Sequence, residues 1–325
     1  MKTDEKGGEG MGNRLTRWWG KNNLSVRHKT GIVLKDLLIY LIFIAIAFMI
    51  LFPIFEKVTV VIKSQDDLVD NTVKYIAKEP TLYTLKRAIK AMDYWAALGH
   101  SLLLSFGVAM LQVLSSAFIA YGLARFRFVG RGLTFALIVL TLVIPPQVLL
   151  SSMYLNFRYF DFLGLFRLLT GNPLNLIDSP TPFLLMAVTG LGIKNGLYIY
   201  MLRQFFRGLP VEFEEAAYID GAGIMRSYFT IMLPNARTIL VSVFLFSFSW
   251  QFTDSTITPM LFNDFTTVPG ALMSLETYQI NQLEPAFRSA LITAGSLLAI
   301  LPLILLFIVG QKFFVQGIER SGIVG

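Results

Sequence analysis

The sequence predicts an all-α membrane protein with six transmembrane helices, and three observations carry that prediction. Only 15% of the 325 residues are charged while 54% are hydrophobic, too few charges to solvate a soluble globule of this size. The apolar residues gather into uncharged runs of the length a helix needs to cross a hydrocarbon core of about 30 Å. Short segments rich in Arg separate several of those runs, as expected of flanks held on one side of a bilayer.

The elements follow in order. Residues 1–36 are polar and basic and read as a flexible cytoplasmic N-terminal arm. The apolar run Leu37 to Phe55 that follows is a retained anchor, because a secretory signal would have a shorter core and a small-residue cleavage site. Residues 37–325 then form the six-span domain. Its external loop, 56–99, is near the size at which a domain needs staples to fold alone, so it is expected to pack on the outer face. The second span lies between His100 and Arg125. The third, Gly132 to Phe157, contains Pro145-Pro146, which removes a helical hydrogen bond and bends or ends the helix. Pro, Gly and Asn between Asn172 and Pro182 mark an external loop of turns. The fourth span, Pro182 to Phe206, is interrupted by Lys194 amid Gly190, Gly192 and Gly196, and the fifth, Thr238 to Phe262, contains Asp254 and Pro259. Ser289 to Gln311 is the sixth.

Lys and Arg near the span ends set the orientation. Eight basic residues lie in the N-terminal arm, Arg125, Arg127 and Arg131 fill the loop after the second span, and Arg203, Arg207, Arg226 and Arg237 surround the loop 207–236. All are inside if the N-terminus is inside, and six spans then return the C-terminus to the cytoplasm. The long loop 56–99 holds seven basic residues against six acids, and long translocated loops weigh little.

Several function classes are excluded. Cysteine is absent and only His28 and His100 are present, which removes disulfides, iron–sulfur clusters, thiolate zinc and a histidine metal centre. The net charge of +7 is scattered among membrane flanks and forms no nucleic-acid stripe. No G-x-x-x-x-G-K-[ST] loop is present, and Gly20-Lys21 lacks the upstream glycine, so the chain is not itself an ATPase. No carboxylate pair, metal cluster or nucleophile–base set recurs near one leaflet, so no enzyme activity and no cofactor are expected.

The most informative stretch is EAAYIDGAGIMRSYFTIMLP, residues 215–234, inside the loop 207–236. Pro210 suits a first helical position, and Glu212, Glu214 and Glu215 fall in the first turns, where the helix dipole favours negative charge. Phe213, Ala216 and Ala217 are spaced to share one helical face. Gly221 and Gly223 fit a helix end and a turn, a second short helix runs from about Ile224 to Met232, and Pro234 ends it. The product is a helix–turn–helix knuckle; the competing reading is an ordinary amphipathic interfacial loop.

The pattern Glu215-Ala216-Ala217, Gly221, Ile231, Leu233-Pro234 resembles, without gaps, the signature loop of bacterial ABC (ATP-binding-cassette) importer permeases, whose type I fold is thereby implied. MLRQFFRGLPVEFEEAAYIDGAG, FLFSFSWQF and QKFFVQGIERSG narrow the resemblance to the maltose-type, binding-protein-dependent carbohydrate-uptake group, over about residues 35 to 325. The resemblance implies that the knuckle inserts into a cleft on a separate nucleotide-binding subunit. Glu215, Ala216, Ala217 and Gly221 would form the contact core, with Asp220, Gly223, Ile231, Leu233 and Pro234 completing the ATPase-coupling loop. It further implies a second permease subunit, two ATP-binding subunits, an extracellular solute-binding protein, a carbohydrate substrate and a multi-pass place among the lipids of a bacterial cytoplasmic membrane.

Polar residues inside spans are the candidates for the substrate route. Lys194 either lines that route or is a structural lysine at a helix break, since a bare ammonium in hydrocarbon costs about 3 kcal/mol or more. Trp250, Gln251 and Asp254 are residue types that bind sugar faces and hydroxyls, although Trp250 also suits an interfacial belt and Asp254 a helix end. Asn263, Asp264 and Gln279 to Gln282 extend this polar character into the last external loop. The alternative to an ATP-driven permease is a self-sufficient secondary transporter or channel that uses Lys194 and Asp254 as coupling residues.

Overall fold

The computed structural model describes residues 11–262, 266–278 and 284–322. Asn263, Asp264 and Gln279 to Gln282 lie outside the described residues. The described chain is helices and turns, with one isolated antiparallel bridge between Phe160 and Leu174 and no strand. It divides into two units, Met1–Thr59 and Val60–Gly325.

The first unit consists, where described, of helix α1 (Met11–Ile62), which ends just inside the second. Its apolar part, Lys35–Ile62, has 28 residues and is about 42 Å long at 1.5 Å per residue, more than a bilayer core requires. The described part of the N-terminal arm is therefore helical, where the sequence suggested a flexible segment. Pro53 is the one proline inside α1, and no other residue of the helix lacks a backbone donor.

The second unit is built around α4 (Tyr94–Arg125). Ala97, Ser101, Ser105 and Ala109 recur every fourth position and are all buried, forming a stripe of small side chains that lets neighbouring backbones approach closely. Against its first half, α3 (Tyr83–Ala91), α13 (Arg237–Phe252), α15 (Val268–Tyr278) and α16 (Pro285–Gly322) enclose a core of Ala88, Met92, Tyr94, Phe248, Phe252, Leu275, Leu291 and Leu298. Against its second half, α9 (Asn195–Gly208) and α13 enclose Ala117, Ala120, Tyr121, Tyr198, Leu202, Phe206, Ile239 and Val243. Hydroxyls join the helices where the stripe is polar: Ser101 Oγ accepts from the Val268 N–H at 2.8 Å, and Tyr94 donates to the Leu298 carbonyl at 3.0 Å.

The loop 56–99 has its own structure. Ser64 caps α2 (Gln65–Val69), buried Lys63 donates to the carbonyls of Val73 and Lys74, and Asp67 accepts from the Glu79 N–H. Ala88 and Met92 carry the loop into the core beside α16.

One expected span is sharply bent and another is shortened. The third splits into α5 (Arg131–Val143), a 3-10 turn Pro146–Leu149 and α6 (Leu150–Arg158), with 95° between the halves. Ile144 is extended because a residue before proline is excluded from the helical region, and Pro145 has no N–H to rejoin the ladder. The helix α13 meets the helical run Ile224–Asn235 at 76° and stops at Phe252; Asp254 then heads a turn into α14 (Ile257–Leu261). The fourth span is broken where its glycines and Lys194 predict: α8 (Thr181–Thr189) ends on Gly190 at φ 74°, and Lys194 at φ 67° precedes α9. Among the described residues three helices are long and apolar enough to cross a membrane, or five if each bent pair is one span.

Candidate functional site

Two sites emerge, the knuckle and a cavity, and both are built on α4. The knuckle's first helix is α10 (Glu212–Ile219), with Glu212, Glu214 and Glu215 in its first turn. It ends in a Schellman arrangement: the Ala222 N–H reaches the Ala217 carbonyl at 2.9 Å and the Gly221 N–H the Tyr218 carbonyl at 3.0 Å. That closure needs a left-handed residue, and Gly221, at φ 79°, supplies it. Asp220 stands at the helix end beside it. Gly223 does not share the requirement; it is extended at φ −73° and starts α11 (Ile224–Ser227). The second helix does not end at Pro234. A π turn over Tyr228–Met232 carries the chain into α12 (Leu233–Asn235), with Pro234 near the start of that last turn where its missing N–H costs least.

The residues spaced to share a face of α10 are not buried together. Phe213 and Ala216 are exposed, while Glu214 and Ala217, three residues apart, are buried. Glu214 is held at both oxygens: Tyr121 donates to Oε1 at 2.7 Å and Arg125 Nε lies 2.9 Å from Oε2. Arg125 also donates to the Leu209 carbonyl at 2.8 Å, gripping both ends of the turn that leads into the knuckle. On the second helix Tyr228 packs on Tyr121 with ring centroids 4.8 Å apart, and Met232 is fully buried. Glu215, Ala216, Asp220 and Gly221 stay on the outer surface with Ile219, Ile224, Met225 and Phe229; Ile231 and Leu233 are half-buried and Pro234 is exposed. Sequence reasoning read Arg125 as a topology anchor and Glu214 as a dipole partner, and missed that they pair. The one available signal was a basic residue ending one helix and an extra acid beside Glu215.

The cavity, of about 490 Å³, lies among α4, the Pro145-Pro146 bend, the break before α9 and the end of α13. It gathers all four predicted route residues, Lys194, Trp250, Gln251 and Asp254. Lys194 Nζ stands 4.6 Å from the centroid of the Trp250 ring, a cation–π contact. Gln251 donates to Thr258 Oγ1 at 3.1 Å. Asp254 folds back on its own turn, where its carboxylate accepts from the N–H groups of Thr256, Ile257 and Thr258 and from the Thr258 hydroxyl. Gln112 was not singled out from the sequence. Buried in the middle of α4, it donates to the Ile193 carbonyl at 3.3 Å, where the helix break frees a backbone acceptor, and accepts from Ser247. Asn195 donates to Ser116 at 2.9 Å beside it. The wall thus combines a cation, an aromatic face, amides and hydroxyls, groups suited to a polyhydroxylated solute.

Comparison with known proteins fits this architecture. The chain is 29% identical over 306 residues to the arabinooligosaccharides transport system permease protein AraQ of Halalkalibacterium halodurans, covering 92% of this chain and all of the relative. It is 28% identical over 222 residues to the sn-glycerol-3-phosphate transport system permease protein UgpE of Yersinia pestis, covering 68% of this chain and 72% of the relative. A chain in the crystal structure of a bacterial ABC transporter involved in the import of the acidic polysaccharide alginate superposes with a TM-score of 0.65 at 18% identity, over 95% of this chain and 100% of the other, a likeness of fold. The family model that describes inner membrane components of binding-protein-dependent transport systems matches residues 112–320, and the chain belongs to that family.

Proposed function

We propose that this chain is one of two membrane-spanning subunits of an ATP-driven carbohydrate importer, and that the loop 207–236 couples it to a separate ATPase. The observation that carries the reading is the two-sidedness of the knuckle. Its inner face is locked to α4 through Glu214, Tyr121, Arg125 and Tyr228, while Glu215, Ala216, Gly221 and a fringe of exposed apolar residues have no partner role within the fold described. A surface loop that had only to connect two helices would not need a buried ion pair to hold it. One that must transmit movement from a docked subunit would. Ala216 and the Cβ-free Gly221 leave room for close approach, and Glu215 supplies a charge at the rim.

On this reading the complex holds a second permease chain, two ATP-binding subunits and an extracellular solute-binding protein, and the cavity containing Lys194, Trp250, Gln251 and Asp254 lies on the solute route. Six spans, α1, α4, the bent α5–α6 pair, the broken α8 and α9, α13 and α16, place both termini and the knuckle in the cytoplasm. Carbohydrate is favoured by the cavity's mix of amides, hydroxyls and an aromatic face. Arabinooligosaccharides and sn-glycerol 3-phosphate, named for two relatives, bracket the solutes to be tried.

The test is co-purification of the tagged chain from its native host beside a Gly221→Asp variant, whose side chain would obstruct the docking surface. An ATPase subunit recovered with the parent and lost from the variant supports the reading. A chain recovered alone that still transports after reconstitution would refute it, in favour of a self-sufficient transporter using Lys194 and Asp254.

A further inference from the structure

The solute class can be narrowed, on the carbohydrate-import reading above, from the two charges that line the cavity. Among the described residues Lys194 and Asp254 are the charged side chains on its wall, and their situations differ. Asp254 is already satisfied. Oδ1 accepts from the N–H groups of Thr256 and Ile257, both at 3.1 Å, and Oδ2 from the N–H and hydroxyl of Thr258 at 2.7 and 2.8 Å. Four donors occupy the four lone-pair directions of a carboxylate, so Asp254 keeps its negative charge but has no acceptor capacity left to offer a ligand or a cation in direct contact.

Lys194 is in the opposite state. Its backbone sits in the left-handed region at the break before α9, so the origin of the side chain is fixed by the fold. Among the described residues no carboxylate lies within 4.0 Å of its ammonium, and its contact is the Trp250 ring at 4.6 Å. A ring face attracts a cation but accepts no conventional hydrogen bond, so the ammonium turns free donors, and a charge with no carboxylate in direct contact, toward the cavity. A neutral sugar would supply hydroxyl acceptors without a counter-charge; an anionic solute supplies both.

We propose that this cavity selects an anionic carbohydrate derivative, one bearing a carboxylate or phosphate, with Lys194 as its counter-ion and the Trp250 ring, released by the ammonium, as the platform for the sugar face. Lys194 then determines specificity, and Asp254 shapes the turn that presents Trp250 and Gln251.

The experiment uses the native host with the chromosomal gene deleted and complemented by the parent chain, Lys194→Gln or Lys194→Arg. Cells receive a mixture of oligogalacturonides, sn-glycerol 3-phosphate and malto-oligosaccharides, and gene-dependent depletion of each is followed by mass spectrometry. The two acidic probes separate the carboxylate source from the phosphate source. We expect the parent to take up at least one acidic probe, Lys194→Gln to lose roughly tenfold or more of that uptake with the chain still present in membranes, and Lys194→Arg to retain most of it. Gene-dependent uptake of malto-oligosaccharides alone, unchanged in Lys194→Gln, overturns the anionic selectivity and leaves carbohydrate import standing. An acidic probe taken up equally by the parent and Lys194→Gln overturns the role of Lys194. Absence of gene-dependent uptake of any probe counts against both readings.

Discussion

Glu214 shows what one side chain does here that its neighbours do not. It is 5% exposed, and its charge is tolerable only because Arg125 and Tyr121 meet both oxygens. Removing the cation alone should therefore cost more than removing the charge: Arg125→Ala leaves a buried carboxylate, an effect of about 3–5 kcal/mol, whereas Glu214→Gln keeps the shape and the Tyr121 contact and costs less. Thermal unfolding of the detergent-purified chain should rank Arg125→Ala well below Glu214→Gln, and equal shifts would show that the pair does not hold the knuckle. At the surface the balance is different. In the loop after α1, Lys78 and the Thr72 hydroxyl and N–H hold the Asp70 carboxyl well below the usual carboxylate range, and Asp70 raises the Lys78 ammonium. A lowered carboxylate favours the fold above its unfolded value of about 3.9, and that support disappears as the pH falls through its folded value. The raised lysine contributes below its own unfolded value of about 10.4 and loses that contribution as the pH rises through its folded value. Lys78 is exposed and Asp70 half-buried at the surface, and solvent screens the pair, so Asp70→Asn should change unfolding little at neutral pH and make the parent's loss on acidification slightly shallower. A large change at neutral pH would contradict this.

Among the elements, the two glycines of the knuckle separate conformation from space. Neither has a neighbour within 4 Å of an added Cβ, but Gly221 is left-handed and Gly223 is not. Gly221→Ala should therefore destabilise by about 1 kcal/mol or more, while Gly223→Ala should be neutral or slightly stabilising. The reverse ranking in a thermal-shift series would contradict the Schellman closure. Gly196 is the spatial case: an added Cβ would lie 2.5 Å from Thr141 Oγ1 and 2.9 Å from the Ile138 carbonyl, so Gly196→Ala forces α9 away from α5 at a cost of about 1–3 kcal/mol. These features were unequally legible. The break before α9 and the bend at Pro145-Pro146 were readable because glycine and proline act on their own backbone. Which face of α10 turns inward was not readable, because it depends on Tyr121, 93 residues away, and on how α4 lies beneath it. Likewise Phe213, Ala216 and Ala217 share a face by spacing, but the anchoring pair Glu214–Arg125 rotates the helix so that only Ala217 of the three is buried.

At the scale of the molecule, the knuckle and the cavity are joined by one helix. Tyr121 and Arg125 grip α10 near the end of α4, and Gln112, nine residues earlier and about 13.5 Å along the axis, lies in the cavity wall. Between them Ala117 and Ala120 pack α4 against α9 and α13 with no exposed surface. A tightly packed helix shifts as a unit, so on the proposed docking, movement of the knuckle and rearrangement at the break before α9 should bias each other. Gln112 is where that bias can be tested without touching the knuckle. Gln112→Met keeps the length of the side chain but leaves the Ile193 carbonyl and Ser247 without their partner, loosening α4 from both neighbours at the cavity. The knuckle contacts would be intact, so the ATPase subunit should still co-purify and hydrolyse ATP, while stimulation by the loaded binding protein should fall several-fold along with uptake. An equal loss of basal hydrolysis would instead indicate damaged assembly. Unchanged stimulation would mean that the cavity and the ATPase communicate by some route other than α4.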